Sequence, residues 1–367
     1  MSLLSGVRHG LLRVEAAWWM SRTFLSNLAT WATVIGWATA DPDLSAWPRM
    51  LALVVAIVAL NGALFIVNDI LDADGDKVTA PYLPLPSGLL TLAQAWLAAG
   101  VGLLLTAVCL TAAAPSGARL AGGAGLLALA ILLSIAYSKV KDFGVVGSIT
   151  VAFPQSMPAV VAWLLAGGGP VGEALLVLAY LLLASVSNNV LAALRDTDKD
   201  PEAGNRTLAV RIGAPAAFRV AAGLAFLAVV PVLVLALTRP GWWSLPFLAA
   251  ATGIHLYCYP RLLRNFAEPD RGRTQRLADQ RLYKLGEYVK HSAVVAAFHP
   301  LAGLVSGIVL YACLRGGYHV YNRRLVGGAI LRGLGLPHPP QAAPSPQVAQ
   351  PPQAARSPEE PAGAVRH

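Results

Sequence analysis

Residues 51–76 read LALVVAIVALNGALFIVNDILDADGD. The first seventeen carry one polar side chain, Asn61, and then Asn68 and four aspartates, Asp69, Asp72, Asp74 and Asp76, follow within nine residues. A helix rises 1.5 Å per residue, so the apolar run with its flanks is long enough to cross a hydrocarbon core of about 30 Å. Backbone groups in lipid must be satisfied within the segment, which leaves a helix for this one. The aspartates then mark the point where the helix reaches water.

The pattern recurs along the chain. Of the 367 residues, 56% are hydrophobic and 13% charged, with mean hydropathy +0.58. Apolar runs at 22–40, 48–68, 91–113, 118–138, 144–166, 170–193, 216–238, 241–259 and 292–314 predict nine spans, hence an all-α, polytopic membrane protein. Residues 1–21 lack the continuous apolar core of a cleavable signal and read as an interfacial helix, with Trp18 and Trp19 at headgroup level. Cys109, Cys258 and Cys313 all fall inside spans and suit packing rather than a disulfide framework or a paired-cysteine metal site. The division expected is therefore an interfacial segment 1–21, a nine-helix domain 22–314, a basic and amphipathic segment 315–336, and a disordered Pro/Ala-rich tail 337–367.

The formal net charge of +9 sorts by loop. With the N-terminus inside, eighteen Lys and Arg fall on inner segments, eight of them in the stretch 260–291, against Arg49, Arg119 and Arg239 outside. That is the positive-inside pattern of a multi-pass cell-membrane protein, so the charge is topological and no nucleic-acid partner is implied. The stretch 260–291 reads as a solvated or lipid-surface loop. Nine crossings put the C-terminus outside, at odds with Arg315, Arg323, Arg324 and Arg332 just beyond the last span. A return of residues 319–336 to the membrane surface would relieve that conflict.

A second acidic stretch, RDTDKDPEAGNRTLAVRIG at 195–213, supplies Asp196 and Asp200, each 124 residues after Asp72 and Asp76. Four crossings intervene, so both clusters open on one face. If the spans continue helically, Asn68, Asp72 and Asp76 share a stripe, as do Asn189, Asp196 and Asp200, while Asp74 and Asp198 fall off it. Carboxylates stacked this way need a cation. A calcium loop beginning at Asp72 is excluded, because Gly75 stands fourth and Leu83 twelfth. Magnesium takes one or two carboxylates and completes its shell with phosphate oxygens. Two such clusters with Lys and Arg between them form a clamp for a diphosphate, backed by an apolar chamber suited to an isoprenyl chain. Transport is disfavoured, since transporter carboxylates sit near the bilayer midplane.

These motifs closely resemble those of the UbiA superfamily of intramembrane prenyltransferases. Its Asn-Asp-x-x-Asp-x-x-x-Asp pattern is matched by Asn68, Asp69, Asp72 and Asp76, and its second Asp-x-x-x-Asp with a following Gly and Thr-Leu by Asp196, Asp200, Gly204, Thr207 and Leu208. Tyr137-Ser138 with Lys139 and Lys141 resembles the family's Tyr-Ser element, without its usual prolines. The resemblance covers roughly residues 20–314. It implies Mg²⁺ held by Asp72, Asp76, Asp196 and Asp200, with Asn68 and Asp69 orienting that shell or touching diphosphate. Lys139, Lys141 and Arg206 would meet phosphate oxygens, and Tyr82 and Tyr137 would offer π-faces to an allylic cation. Asn189 would line the prenyl or acceptor side, although a helix-helix hydrogen bond explains it equally.

DKVTAPYLPLPSG at 76–88 resembles the homogentisate-type aromatic prenyltransferases, with Leu83 where many relatives carry Arg. That departure weakens a benzoate-like acceptor and leaves a phenol or quinone precursor. A terpene cyclase on the same scaffold, needing no acceptor, is the alternative. The active-site mouth is expected on the cytoplasmic face. Pro81, Pro84 and Pro86 are expected to hold their loop extended, Thr91 with Gln94 to form a capping box, and His255, His291 and His299 to pack.

Overall fold

The computed structural model describes residues 3–140, 143–194, 197, 206–239, 242–267 and 273–334. The run quoted above forms helix α3 (Trp47–Leu71), opened by a proline in its first turn, where the missing N–H costs nothing. Before it lie α1 (Leu3–Met20), a 3₁₀ turn at Thr23–Leu25 and α2 (Asn27–Ala40). After it come α4 (Ala73–Thr79), α5 (Leu92–Ala113), α6 (Gly117–Val140), α7 (Val145–Ala166) and α8 (Val171–Ala193). The chain continues through α9 (Leu208–Ile212), α10 (Ala214–Leu227), α11 (Val229–Thr238), α12 (Ser244–Ala267) and α13 (Arg273–Ala296). It closes with α14 (Pro300–Tyr321), a π turn at Asn322–Val326 and α15 (Ala329–Gly333). No strand occurs among the described residues.

Seven stretches are long and apolar enough to cross a membrane: α3, α5, α6, α7, α8, α10 with α11, and α14 with its π turn. Helix α3 packs on α5, α6 on α7, α7 on α8 and α12 on α13, and α2 packs closely on α7. The apolar core falls into four clusters, with Trp31 and Tyr180 in one, Phe218 in a second and Trp37 in a third, all fully buried. At the end opposite the first acidic motif, Arg49, Arg119 and Arg239 each close a helix end. Arg49 donates to the carbonyls of Ala113 (2.9 Å) and Leu165 (2.7 Å), Arg119 donates to that of Gly167 (3.1 Å), and Arg239 pairs with Glu173.

The expected span 292–314 is divided. Its first residues end α13 and the rest belong to α14, and the presumed loop 260–291 is helical at 261–267 and 273–291. The reason is chemical. On α13, Asp279, Tyr283, Glu287, Lys290 and His291 follow helical spacing and face inward, all but buried. Asn265 donates to Asp279 (2.6 Å), Lys290 donates to Glu287 (2.9 Å) and to the Ala225 carbonyl (3.1 Å), His255 lies 3.2 Å from Glu287, and His291 bonds Tyr180. A search for apolar runs passes over a helix whose charges are neutralised inside the bundle.

Helix α14 then packs on α13 through Gly303 and Gly307. A methyl on Gly303 would lie 2.8 Å from the Ala296 Cβ, and one on Gly307 2.2 Å from the Ser292 Oγ. Helix α14 thus brings Arg324 to the end where α1 and the first acidic motif lie. There Arg324 forms a two-pronged ion pair with Glu15, whose other contact is the Trp19 indole N–H (3.1 Å). Helix α1 turns Val7, Leu11, Val14 and Trp18 outward as one exposed apolar stripe, as an interfacial helix does. Trp19, expected beside Trp18 in the headgroup belt, instead points toward the protein.

Candidate functional site

The acidic end of α3 is helical beyond its last apolar turn. The Asp72 amide donates to the Asn68 carbonyl, Asp76 to Asp72 and Ala80 to Asp76, each at 2.9 Å, so i to i−4 bonding bridges the break at Asp72 (φ −92°, ψ 0°) where α3 gives way to α4. Asn68, Asp72 and Asp76 therefore lie on one stripe, as the spacing predicts. The Asn68 amide donates to Asp72 Oδ2 (2.8 Å). Asp72 is exposed and Asp76 half-buried. Asp74, off the stripe, is solvated and pairs with Lys77 (2.7 Å).

Asp69 faces the other way. It is 3% exposed, and Arg22 donates to its Oδ1 at 2.8 Å. Arg22 occupies the turn between α1 and α2 in the left-handed conformation (φ 47°, ψ 36°), which costs a non-glycine residue about 1–2 kcal/mol. Charge-assisted hydrogen bonding to a buried carboxylate offsets such a cost. Its guanidinium also lies 5.8 Å from the Phe65 ring of α3.

The loop after the motif is compact rather than extended. Turns closed by Leu83 N–H to Ala80, Ser87 N–H to Leu83 and Leu90 N–H to Pro84 fold residues 80–90 back on themselves. Leu85, Leu89 and Leu90 pack with Ala16, Met20 and Ile66, so apolar burial overrides the stiffness of the prolines. Leu83 is 5% exposed. Tyr82 is half-buried. The Thr91 and Gln94 capping box forms as expected and opens α5.

The remaining predicted residues are distributed as follows. Helices α3, α5, α6, α7 and α8 alternate in direction, so the C-terminal ends of α3 and α8 share one face. Asp196, Asp198, Asp200 and Lys141 lie outside the described residues. Lys139 is in the last turn of α6 and Tyr137, half-buried, stands just before it. Arg206 is exposed, and its carbonyl accepts from Arg211 (3.0 Å). Asn189 is half-buried on α8. Its neighbour Asn188 accepts from Lys284 of α13 (2.7 Å), a cation that sequence reading placed in a loop. His299 caps α14 by accepting from Ala302 (3.2 Å), and His255 and His291 serve packing and internal pairing.

Could this end hold magnesium? Asn68, Asp72 and Asp76 are hard oxygen donors at the junction of α3 and α4, and two carboxylates are what that ion takes when phosphate completes its shell. Among the described residues no group of three His, Cys, Asp or Glu side chains converges on one point, so the donor set fits a shared protein and phosphate shell, not an all-protein cage. A cavity of about 170 Å³ between α2, α7 and α8, lined by Gly36, Trp163 and Leu175, is apolar and lies toward the opposite end.

Known proteins give an independent view. The model of the UbiA prenyltransferase family matches residues 29–285. Digeranylgeranylglyceryl phosphate synthase of Sulfolobus acidocaldarius is 30% identical over 162 residues, 44% of this chain and 56% of that protein. The protein of the same name from Methanoculleus marisnigri is 24% identical over 249 residues, 65% of this chain and 81% of its own. The 2-acylphloroglucinol 4-prenyltransferase of Humulus lupulus is 35% identical over 60 residues, 16% of this chain and 14% of that one. The chain thus spans just over half the length of the Sulfolobus relative. A solved structure of a UbiA homolog from Archaeoglobus fulgidus bound to GPP and Mg²⁺ has a TM-score of 0.49 and 14% identity, covering 83% of this chain and 99% of its own. With seven membrane-crossing stretches and a family match over most of its helices, this multi-pass membrane chain belongs to the UbiA prenyltransferase family.

Proposed function

We propose that the chain is an intramembrane, magnesium-dependent prenyltransferase that passes a prenyl group from an isoprenyl diphosphate to an aromatic acceptor, a phenol or quinone precursor. The observation that carries this reading is the i to i−4 bonding that links Asn68, Asp72 and Asp76 across the junction of α3 and α4, at the end of a membrane span. When bound, magnesium would neutralise charge on the departing diphosphate. Asp72 and Asp76, with Asp196 and Asp200 of the second motif, would hold it. Asn68 fixes the Asp72 carboxylate by its hydrogen bond. Asp69, turned inward on Arg22, orients the stripe from behind. Lys139, Lys141 and Arg206 are assigned to phosphate oxygens, and Tyr82, Tyr137 and Asn189 to the prenyl and acceptor side. The positive-inside pattern of the basic loops supports a mouth on the cytoplasmic face of the cell membrane.

Leu83 supports the acceptor class. It is buried, so the loop position that holds Arg in many relatives offers no cation to an anionic acceptor. A second reading, a glyceryl phosphate lipid as acceptor, is favoured by the names of the archaeal relatives. The test is product analysis with C10, C15 and C20 allylic diphosphates, each with phenols, with a glyceryl phosphate lipid, or alone. Prenylated phenol supports the first reading and prenylated glyceryl phosphate the second. A cyclic hydrocarbon formed without acceptor would replace both with a terpene cyclase.

A further inference from the structure

The family match stops at residue 285, inside α13, and begins at residue 29, inside α2. Two segments outside it meet at the first acidic motif. Helix α14 ends at Tyr321, beside the turn in which Arg22 donates to Asp69 Oδ1 and accepts at its own carbonyl from the Leu25 N–H (2.7 Å). Aromatic contacts seat this junction. Phe24 lies 5.1 Å from the Tyr318 ring and 5.3 Å from that of Tyr321, and Trp19 lies 6.5 Å from Tyr321. Gly317 is what lets α14 come so near, because a methyl there would sit 2.3 Å from the Phe24 Cβ. Glu15 and Arg324 clamp the same end. Asp69 Oδ2 is buried and makes no hydrogen bond among the described residues, so Arg22 alone fixes this carboxylate from the side chains described.

We propose that α14 is a positioning element for the catalytic end of α3. Tyr318 and Tyr321 seat Phe24 and with it the turn that carries Arg22, Arg22 anchors Asp69, and the stripe of Asn68, Asp72 and Asp76 is held in register by that anchor. Arg22 and Tyr321 touch neither substrate nor metal in this scheme. They act through Asp69, as partners behind a ligand shell act on the shell itself. The inference rests on the reading of Asp72 and Asp76 as metal ligands.

The test uses the full chain in phospholipid nanodiscs and reads Mn²⁺ binding by electron paramagnetic resonance in the presence of inorganic diphosphate, alongside thermal unfolding. Tyr321→Leu, which removes the ring packed on Phe24, and Arg22→Gln are each expected to weaken Mn²⁺ binding, Arg22→Gln by about tenfold. Arg22→Lys should recover part of the loss. Gly317→Ala, which pushes α14 from Phe24, should weaken binding in the same direction. Tyr321→Leu keeps an apolar side chain at the junction and carries the test if Arg22→Gln does not fold. Wild-type affinity in Tyr321→Leu and Arg22→Gln would overturn the inference while leaving the metal site standing. A wild-type protein that binds no Mn²⁺ would overturn the metal reading and this inference with it.

Discussion

Removing the Glu287 carboxylate gives the sharpest energetic test of the fold. Glu287 and Lys290 are 1% and 0% exposed, 2.9 Å apart, and the other partner of Lys290 is the Ala225 carbonyl at 3.1 Å. At that distance and an effective dielectric of about 20, the gross attraction is about 6 kcal/mol, much of it offset by the desolvation of both ions. Glu287→Met therefore loses more than the net worth of the pair, because it strands the Lys290 charge and leaves His255 without its carboxylate. The expected destabilisation is about 3–5 kcal/mol. In Glu287→Met with Lys290→Met no charge is stranded, and at least about 2 kcal/mol should return. Reversible unfolding in mixed micelles, followed by tryptophan fluorescence, measures all three. A single variant within about 1 kcal/mol of wild type would refute the stranded-charge reasoning.

Other outcomes follow from the same geometry. Gly307→Val collides with Ser292 and should destabilise the chain by about 1–3 kcal/mol in the same unfolding assay, with Gly316→Val, which faces open space, costing less. Thr91→Ala removes the cap of α5 and should cost about 1 kcal/mol. Hydrogen bonds from Arg324 hold the Glu15 carboxyl below the usual glutamate range. A depressed folded-state value stabilises above the unfolded one and is lost as pH falls through the folded one, so the stability gap between wild type and Glu15→Gln should close on acidification. A gap constant from neutral to strongly acid pH would contradict the pairing.

The legible and illegible parts of the chain divide by mechanism. Apolar runs revealed α3, α5, α6, α7 and α8, since a helix facing lipid must be apolar along its length. The stripe of Asn68, Asp72 and Asp76 was legible because helical periodicity carried over into the motif. Helix α13 was not: its buried face is polar, and only partners supplied by α8, α10 and α12 make it a bundle helix. Inside it the i, i+4, i+8 spacing of Asp279, Tyr283 and Glu287 was the available signal. The role of Arg22 was equally hidden, because its partner Asp69 is 47 residues away and nothing local marks the pair. The proline-rich loop misled through local stiffness, where four leucines decided the outcome by burial.

The central claim is that two acidic stretches at one end of the bundle hold a metal-bound diphosphate while its carbon-oxygen bond breaks. The most direct measurement is diphosphate release, with the accompanying prenyl product, from an allylic diphosphate in wild type, Asp72→Asn and Asp200→Asn, with and without EDTA. Metal-dependent release in wild type, restored by added Mg²⁺ and lost in both variants while their unfolding midpoints are retained, is the predicted result. Full release in EDTA, or from both variants, would contradict it.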